Sequence, residues 1–336
     1  MSQPVFVTPC AICAGVDVSA ASLELCLLAA DGQLALRRSF TNTPAGIRAL
    51  LRQLPPQQPL RLCLEPTSRY HERLARALAG QANLSLMLAN PREVHAFAVS
   101  LGQRAKTDRN DAWLLARLAA CLPAARVEPP SQLCSDLRTI VGRINALTQH
   151  ATQEKNRLKL AERCGAPACV TRDLKSQLGA LARSSAALER QAEELLGADP
   201  QLARRFELLQ TVCGIAHKAG LQLLAGLCTL PPQLSKRQWV AYAGLDPQPR
   251  ESGLSAKPRH ISRRGDPELR RALLMPAQVA VRHCPPLKQY YERLLGRGKK
   301  PLQALTAVMA KLLHIIWAMW QADEPFDPAR VCSNSA

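Results

Sequence analysis

The sequence predicts three successive regions: an α/β layer over residues 11–125, a long antiparallel helical arm over 126–199, and a mainly α region over 200–325. Three observations predict this. Short apolar runs bounded by turn residues alternate with helical patterns through about residue 100. Apolar side chains then repeat on alternating spacings of four and three over two long stretches, as packed helical pairs require. Aromatic residues make up only 4% of the 336 residues, while Leu and Ala are abundant, a composition that favours helix. The length leaves room for two or three ordinary domains.

Residues 11–40, AICAGVDVSAASLELCLLAADGQLALRRSF, read as three strands, the second and third joined at Asp31-Gly32, a hairpin-turn dipeptide. Thr43 then serves as helix N-cap, with Pro44 at the first helical position. LRLCLEP (60–66) is a short strand that delivers Glu65 at its end. YHERLARALAG is helical and stops at Gly80; LSLMLANP is a strand, VHAFAVSLG returns to helix, and a long helix is expected around 106–122. A hairpin followed by strand–helix crossovers is the order a ribonuclease-H-like layer requires.

In the arm, Leu133, Leu137, Ile140, Ile144, Leu147, Ala151 and Leu158 keep heptad spacing, with Glu154 filling one step. Leu174, Leu178, Leu181, Leu188, Ala192 and Leu195 repeat it, with Ser185 in the seam. A bend at CGAPAC makes the pair an antiparallel coiled coil, suited to dimerisation or to packing on its own domain. Residues 208–227 resemble a helix-hairpin-helix whose turn amides can face a phosphate, although Ala216 stands where a second turn glycine is usual. A turn-rich stretch (243–274) leads into final helices cut by Pro285-Pro286 and the basic loop GRGKK.

A net charge of +18 fits a polyanionic partner better than a small neutral ligand. Residues 250–300 hold thirteen Lys and Arg against four acids, a surplus of nine, so the basic footprint is local. The N-terminus has no basic segment followed by an apolar core, which makes the twelve cysteines reduced, mostly buried thiols of a cytoplasmic protein. Cys10/Cys13 and Cys164/Cys169 lack the second pair at suitable spacing that a structural zinc site needs. The apolar segment near 305–321 is short and interrupted by Lys311 and His314, so it reads as a buried helix and no membrane partner is expected.

Four acids carry the chemistry. Asp17 on a strand, Glu65 at a strand end, and Asp108 with Asp111 on one helix face would converge at one edge of a ribonuclease-H-like sheet. Individually, Asp17 also reads as a turn cap, Glu65 as a solvated strand-end residue, and Asp108 and Asp111 as helix-start acids. Together they repel one another unless a cation lies between them. Hard oxygen ligands with open positions suit Mg²⁺, and two ions about 4 Å apart can clamp the attacking and leaving oxygens of a phosphodiester. In RESGLS, Ser252 alone is a turn serine beside Gly253, but Arg250, Lys257, Arg259, Arg263 and Arg264 surround it with phosphate-binding charge; Lys106 and Arg109 flank the Asp pair.

GVDVS, LEPTSRYHE, KTDRNDA and AGLDPQPRESG…ISRRGDPELRRAL together resemble insertion-sequence family 110, the DEDD transposases described as bridge-RNA-guided recombinases, to which the Piv-type DNA invertases are related. The resemblance runs from about residue 12 to 320. It implies a RuvC-like N-terminal domain with Asp17, Glu65, Asp108 and Asp111 as metal ligands, and a C-terminal transposase domain with Ser252 as catalytic serine. Ser255 is the rival and Ser262 a distant third. Leu254 sits where the family's serine loop commonly has a small or polar residue.

The resemblance further implies Mg²⁺, DNA partners (element ends and target), a structured guide RNA, a dimer or tetramer, and a composite site joining one subunit's carboxylates to another's serine. The expected function is a transposase or site-specific recombinase, associated with the nucleoid when active. The alternatives are a RuvC-like structure-selective nuclease, a Piv-type invertase, or a DNA-binding protein whose acids only cap helices.

Overall fold

The computed structural model describes residues 12–66, 68–102, 108–122, 128–248, 251–252, 255–256 and 260–330, with 108–110 and the residues of 251–256 described by their backbone alone. The chain divides into two compact units, Met1–Pro129 and Pro130–Ala336.

In the first unit, β1 (Ile12–Val18), β2 (Ser22–Leu28), β3 (Leu34–Thr41), α1 (Pro44–Leu51), β4 (Leu60–Leu64), α2 (Glu72–Ala79), β5 (Leu84–Leu88), α3 (Pro91–Ser100) and α4 (Asp108–Cys121) follow in order. The five strands form a mixed sheet in the order β3-β2-β1-β4-β5, antiparallel through β3, β2 and β1 and parallel from β1 through β5. Local chemistry explains the expected elements. Gly32 takes φ +82° in the β2–β3 turn, where the Asp31 side chain accepts from the Gln33 amide at 2.9 Å. The Thr43 hydroxyl accepts from the Gly46 amide, and Pro44 starts α1. Gly80 ends α2.

Strand alternation gives the sheet two different faces. Ala14, Val16 and Val18 of β1 pack with Leu62 and Leu64 of β4 against Leu50 of α1 and Leu74 and Leu78 of α2. Cys13, Cys26, Cys63 and Met87 face the other way, against Val94 of α3 and Leu115 and Ala119 of α4.

The second unit contains α5 (Gln132–Arg163), α6 (Ala168–Gly197), α7 (Pro200–Thr211), α8 (His217–Leu227), α9 (Lys236–Tyr242), the two-residue strands β6 (Pro247–Gln248), β7 (Glu251–Ser252), β8 (Ser255–Ala256) and β9 (His260–Ile261), then α10 (Pro267–Ala272), α11 (Leu274–His283), α12 (Pro285–Gly296) and α13 (Pro301–Ala322). Helices α5 and α6 pack on each other as a long antiparallel pair, with a Lys175–Glu162 ion pair at 3.1 Å between them. Its base joins the main core: Leu137 and Val141 of α5 and Ala192 and Leu196 of α6 are buried with Leu209, Leu224 and Leu312. Between residues 148 and 191 no residue is fully buried.

Helix α13 is long and apolar enough by composition to cross a membrane. Its Val308, Leu312, Leu313 and Ile316 lie instead in the core. Of the ten described cysteines, Cys13, Cys26, Cys63, Cys134, Cys228 and Cys284 are buried; Cys164 and Cys169 are exposed at the α5–α6 bend, and Cys10 lies outside the described residues.

Candidate active site

The first cluster is built by the crossing of α4 over β1. A Cβ on Gly15 would sit 2.1 Å from the Ala112 carbonyl oxygen and 2.3 Å from the Ala116 nitrogen, so only glycine lets the helix backbone lie this close to the strand. Further along α4, the Leu122 carbonyl accepts from Arg61 Nη1 at 3.3 Å, and Arg61 is registered beside Cys13. The helix therefore runs antiparallel to β1, and its N-terminal turn lies toward the carboxyl ends of β1 and β4.

Asp17 and Glu65 belong to that same end. Val16 pairs with Leu64 in the parallel β1–β4 ladder, so the residues following them stand on adjacent strands, a spacing of about 4.8 Å between strand axes. Alternation puts both on the face that α4 covers, two residues beyond Gly15 and Cys63 respectively. Asp17, Glu65 and Asp111 are each partly exposed. The side chains of Asp108 and Arg109 lie outside the described residues, as does Lys106. Among the described residues, no three His, Cys, Asp or Glu side chains stand close enough to hold a metal ion together.

The donor chemistry here is hard. The Cys63 thiol, on the strand that leads to Glu65, is pushed up to about 12, chiefly by burial, with Glu65 and Glu93 adding to the rise. Carboxylate oxygens of this kind fit Mg²⁺ or a similar cation better than zinc. A further acid escaped the sequence reading: Glu24 is registered directly opposite Asp17 on the same face, and its Oε1 accepts from Ser39 Oγ at 2.6 Å. The period-two pattern of β2 carried the signal, since Glu24 shares its parity with the buried Cys26.

The second cluster is the segment around Ser252, read from sequence only as turns. It contains two short antiparallel pairings: Pro247 and Gln248 pair with Ile261 and His260, and Glu251 and Ser252 pair with Ala256 and Ser255. Ser252 and Ser255 are thus direct cross-strand neighbours; their side chains, and Arg250, Lys257 and Arg259, lie outside the described residues. The base of the segment is tightly fixed. Ser262 donates its hydroxyl to Asp246 and its amide to the Asp246 carbonyl at 2.8 Å, which gives Ser262 a structural task. A Cβ on Gly265 would meet the Tyr242 carbonyl at 1.9 Å. Asp266 caps α10 and holds Arg138 at 2.7 Å. Arg263 and Arg264, next to this base, are exposed.

The turn between α7 and α8 is present, with Gly214 at φ +93°, but a Cβ there would lie 2.6 Å from the Pro276 carbonyl oxygen. That glycine packs the turn onto α11.

Both parts of the chain match transposase family models. A family profile described as "Transposase" (the DEDD type of IS110) matches residues 14–161, and one described as "Transposase IS116/IS110/IS902 family" matches residues 206–292. The chain is 31% identical over 323 residues to the "Pilin gene-inverting protein" of Moraxella bovis, covering 93% of this chain and 97% of that one. The chain belongs to the IS110 family of transposases. The transposase is also similar to an insertion element IS116 protein of Streptomyces clavuligerus (28% over 164 residues, 49% of this chain and 40% of that one) and to a "Probable family 20 transposase" of Pseudomonas aeruginosa (28% over 162 residues, 47% and 46%). The first matched span contains Asp17, Glu65, Asp108 and Asp111, and the second contains Ser252.

Proposed function

We propose that this transposase cuts and rejoins DNA by metal-dependent phosphoryl transfer, with Ser252 as nucleophile and Asp17, Glu65, Asp108 and Asp111 as the metal ligands. The observation that carries the reading is the antiparallel passage of α4 over Gly15, which brings the helix end bearing the Asp pair toward the strand ends bearing Asp17 and Glu65. A divalent ion bound by these carboxylates would neutralise phosphate charge and favour the ionised serine hydroxyl.

The chain's own residues do the rest. Ser252 Oγ forms a bond to phosphorus as the bond to the departing sugar oxygen breaks, and that oxygen takes up a proton. The phosphoserine ester keeps the bond energy, so a second sugar hydroxyl can displace the serine and rejoin the strand without hydrolysis. Arg250, Lys257, Arg259, Arg263 and Arg264 hold the phosphates during this exchange, and Lys106 and Arg109 guide the strand toward the acids. The α5–α6 coiled-coil arm pairs subunits, so that carboxylates of one and the serine of another form one composite site. A structured RNA selects the DNA site, in keeping with the resemblance, and the enzyme works on the bacterial nucleoid in the cytoplasm.

Ser252→Ala will abolish both strand exchange and the covalent protein–DNA adduct seen on denaturing gels, while Ser255→Ala keeps the adduct. Cutting that survives Ser252→Ala with Mg²⁺ present would instead identify a nuclease using activated water. A second reading, DNA inversion, is favoured by the end-to-end match to the Moraxella pilin gene-inverting proteins. The same chemistry serves both, and the arrangement of recombination sites flanking the gene separates them.

Phosphate contacts make binding depend on salt, because each one releases condensed counterions. Replacing Arg263 and Arg264 together will flatten the slope of log affinity against log salt by roughly one to two units. An unchanged slope removes both from the DNA interface.

A further inference from the structure

Next to the carboxylate edge, a cavity of about 410 Å³ is lined chiefly by Asn42, Arg69, Tyr70, Glu72, Arg73 and Arg76. We propose that it binds one unstacked nucleotide of the DNA strand leading to the cut, with its phosphate on the arginines and its base on the Tyr70 ring. The proposal rests on the carboxylate edge being the cutting site.

The cavity is made by the loops that leave the strands of that edge. Ala20 lines it three residues after Asp17, and Arg69 lines it four residues after Glu65. Asn42 ties these loops together, donating through Nδ2 to the Ser19 carbonyl at 2.8 Å and the Tyr70 carbonyl at 3.3 Å. The walls are thus fixed before any ligand arrives. Just before Arg69, Ser68 adopts φ +49°, a left-handed backbone that residues with a side chain seldom take. Such outliers gather where a structure must aim particular groups, here Arg69 and Tyr70.

The charges are also set in advance. Glu72 receives Arg69 through both oxygens, at 2.8 and 3.1 Å, and lies 3.7 Å from Arg76. This carboxylate shares the cavity lining with three guanidiniums. Planar guanidiniums in fixed directions match phosphate oxygens. Tyr70 is 48% exposed, a large aromatic surface presented beside them. A flat ring next to a phosphate-binding cradle describes a nucleotide, and the volume lies in the range of small-ligand sites. Bases inside a duplex are covered by their neighbours, so the ring requires a locally unstacked strand.

The test is photochemical crosslinking of the full-length protein to single-stranded DNA of about 16 nucleotides, the upper end of single-strand footprints, with 5-iodouracil placed at successive positions. The adduct peptide is mapped by mass spectrometry, in EDTA so that no cutting occurs. The expected result is an adduct at Tyr70 from one or two adjacent positions. Arg73→Ala with Arg76→Ala will lower that yield about tenfold, as loss of charge-assisted phosphate contacts implies, while adducts elsewhere persist and the melting temperature holds. No Tyr70 adduct where others form, a Tyr70 adduct with RNA alone, or a yield indifferent to both arginines would overturn the proposal. Asp17→Asn separates the two readings: it leaves the Tyr70 adduct intact, and its keeping full cutting activity would refute the carboxylate assignment without touching the crosslink.

Discussion

Asp17→Asn will lose strand cutting by about 10³-fold or more, the scale on which removing a group that organises transition-state charge is felt. The substitution keeps the side chain's size, and Asp17 is partly exposed at the end of β1. With Mg²⁺ the parent gains stability in proportion to the logarithm of ion occupancy over its metal-free melting temperature, and Asp17→Asn does not gain over its own. Thermal melts with and without Mg²⁺, beside a cutting assay, test both halves. A variant that still cuts, or still gains stability from Mg²⁺ as the parent does, removes Asp17 from the ion's coordination.

Gly15→Ala will unfold or displace the N-terminal unit. The added methyl meets the Ala112 carbonyl oxygen at 2.1 Å and the Ala116 nitrogen at 2.3 Å, both parts of a helix backbone with no rotamer to escape into. α4 would have to lift from the sheet and open the packing of Leu115 and Ala119 against Cys13 and Cys63. Overpacking of this kind costs about 3 kcal/mol or more, roughly 10 °C or more of melting temperature for a unit of this size. Cutting should fall with it, because the lifted helix carries Asp108 and Asp111 away from Asp17. Gly142, inside α5 with open space at its Cβ, is the control. Gly142→Ala should stabilise by about 0.5–1 kcal/mol, since there only the backbone entropy changes. Equal effects at the two positions would mean that α4 does not bear on β1 as described.

What could be read from the sequence was local. The Asp31-Gly32 turn, the Thr43 cap with Pro44, the stop at Gly80 and the two long helices α5 and α6 are written in neighbouring residues, and each appears where expected. Asp17 and Glu65 were legible as strand-end acids for the same reason. The bringing together of distant segments was not. Nothing near Gly15 announces that α4 lies on it, since the contact spans about a hundred residues of sequence. The paired strands around Ser252 were missed because two-residue strands show no alternation, and the fixing of that segment by Gly265, Asp246 and Asp266 depends on close approaches between segments. α9 was missed although Ser235 and Gln238 form a capping box, because the helix is too short for a periodic pattern. Glu24 went unremarked because only the pairing with β1 sets it opposite Asp17.

The long helical pair also has a mechanical meaning. Its root is clamped in the core through Leu137 and Leu147, whereas the stretch of α5 from residue 148 to 163 touches little besides its partner helix. That overhang is about 24 Å long at the rise of an α-helix. A tilt of about ten degrees at the root would swing its far end, with Cys164 and Cys169, by about 4 Å, a boom that turns small repacking at its hinge into a large sweep.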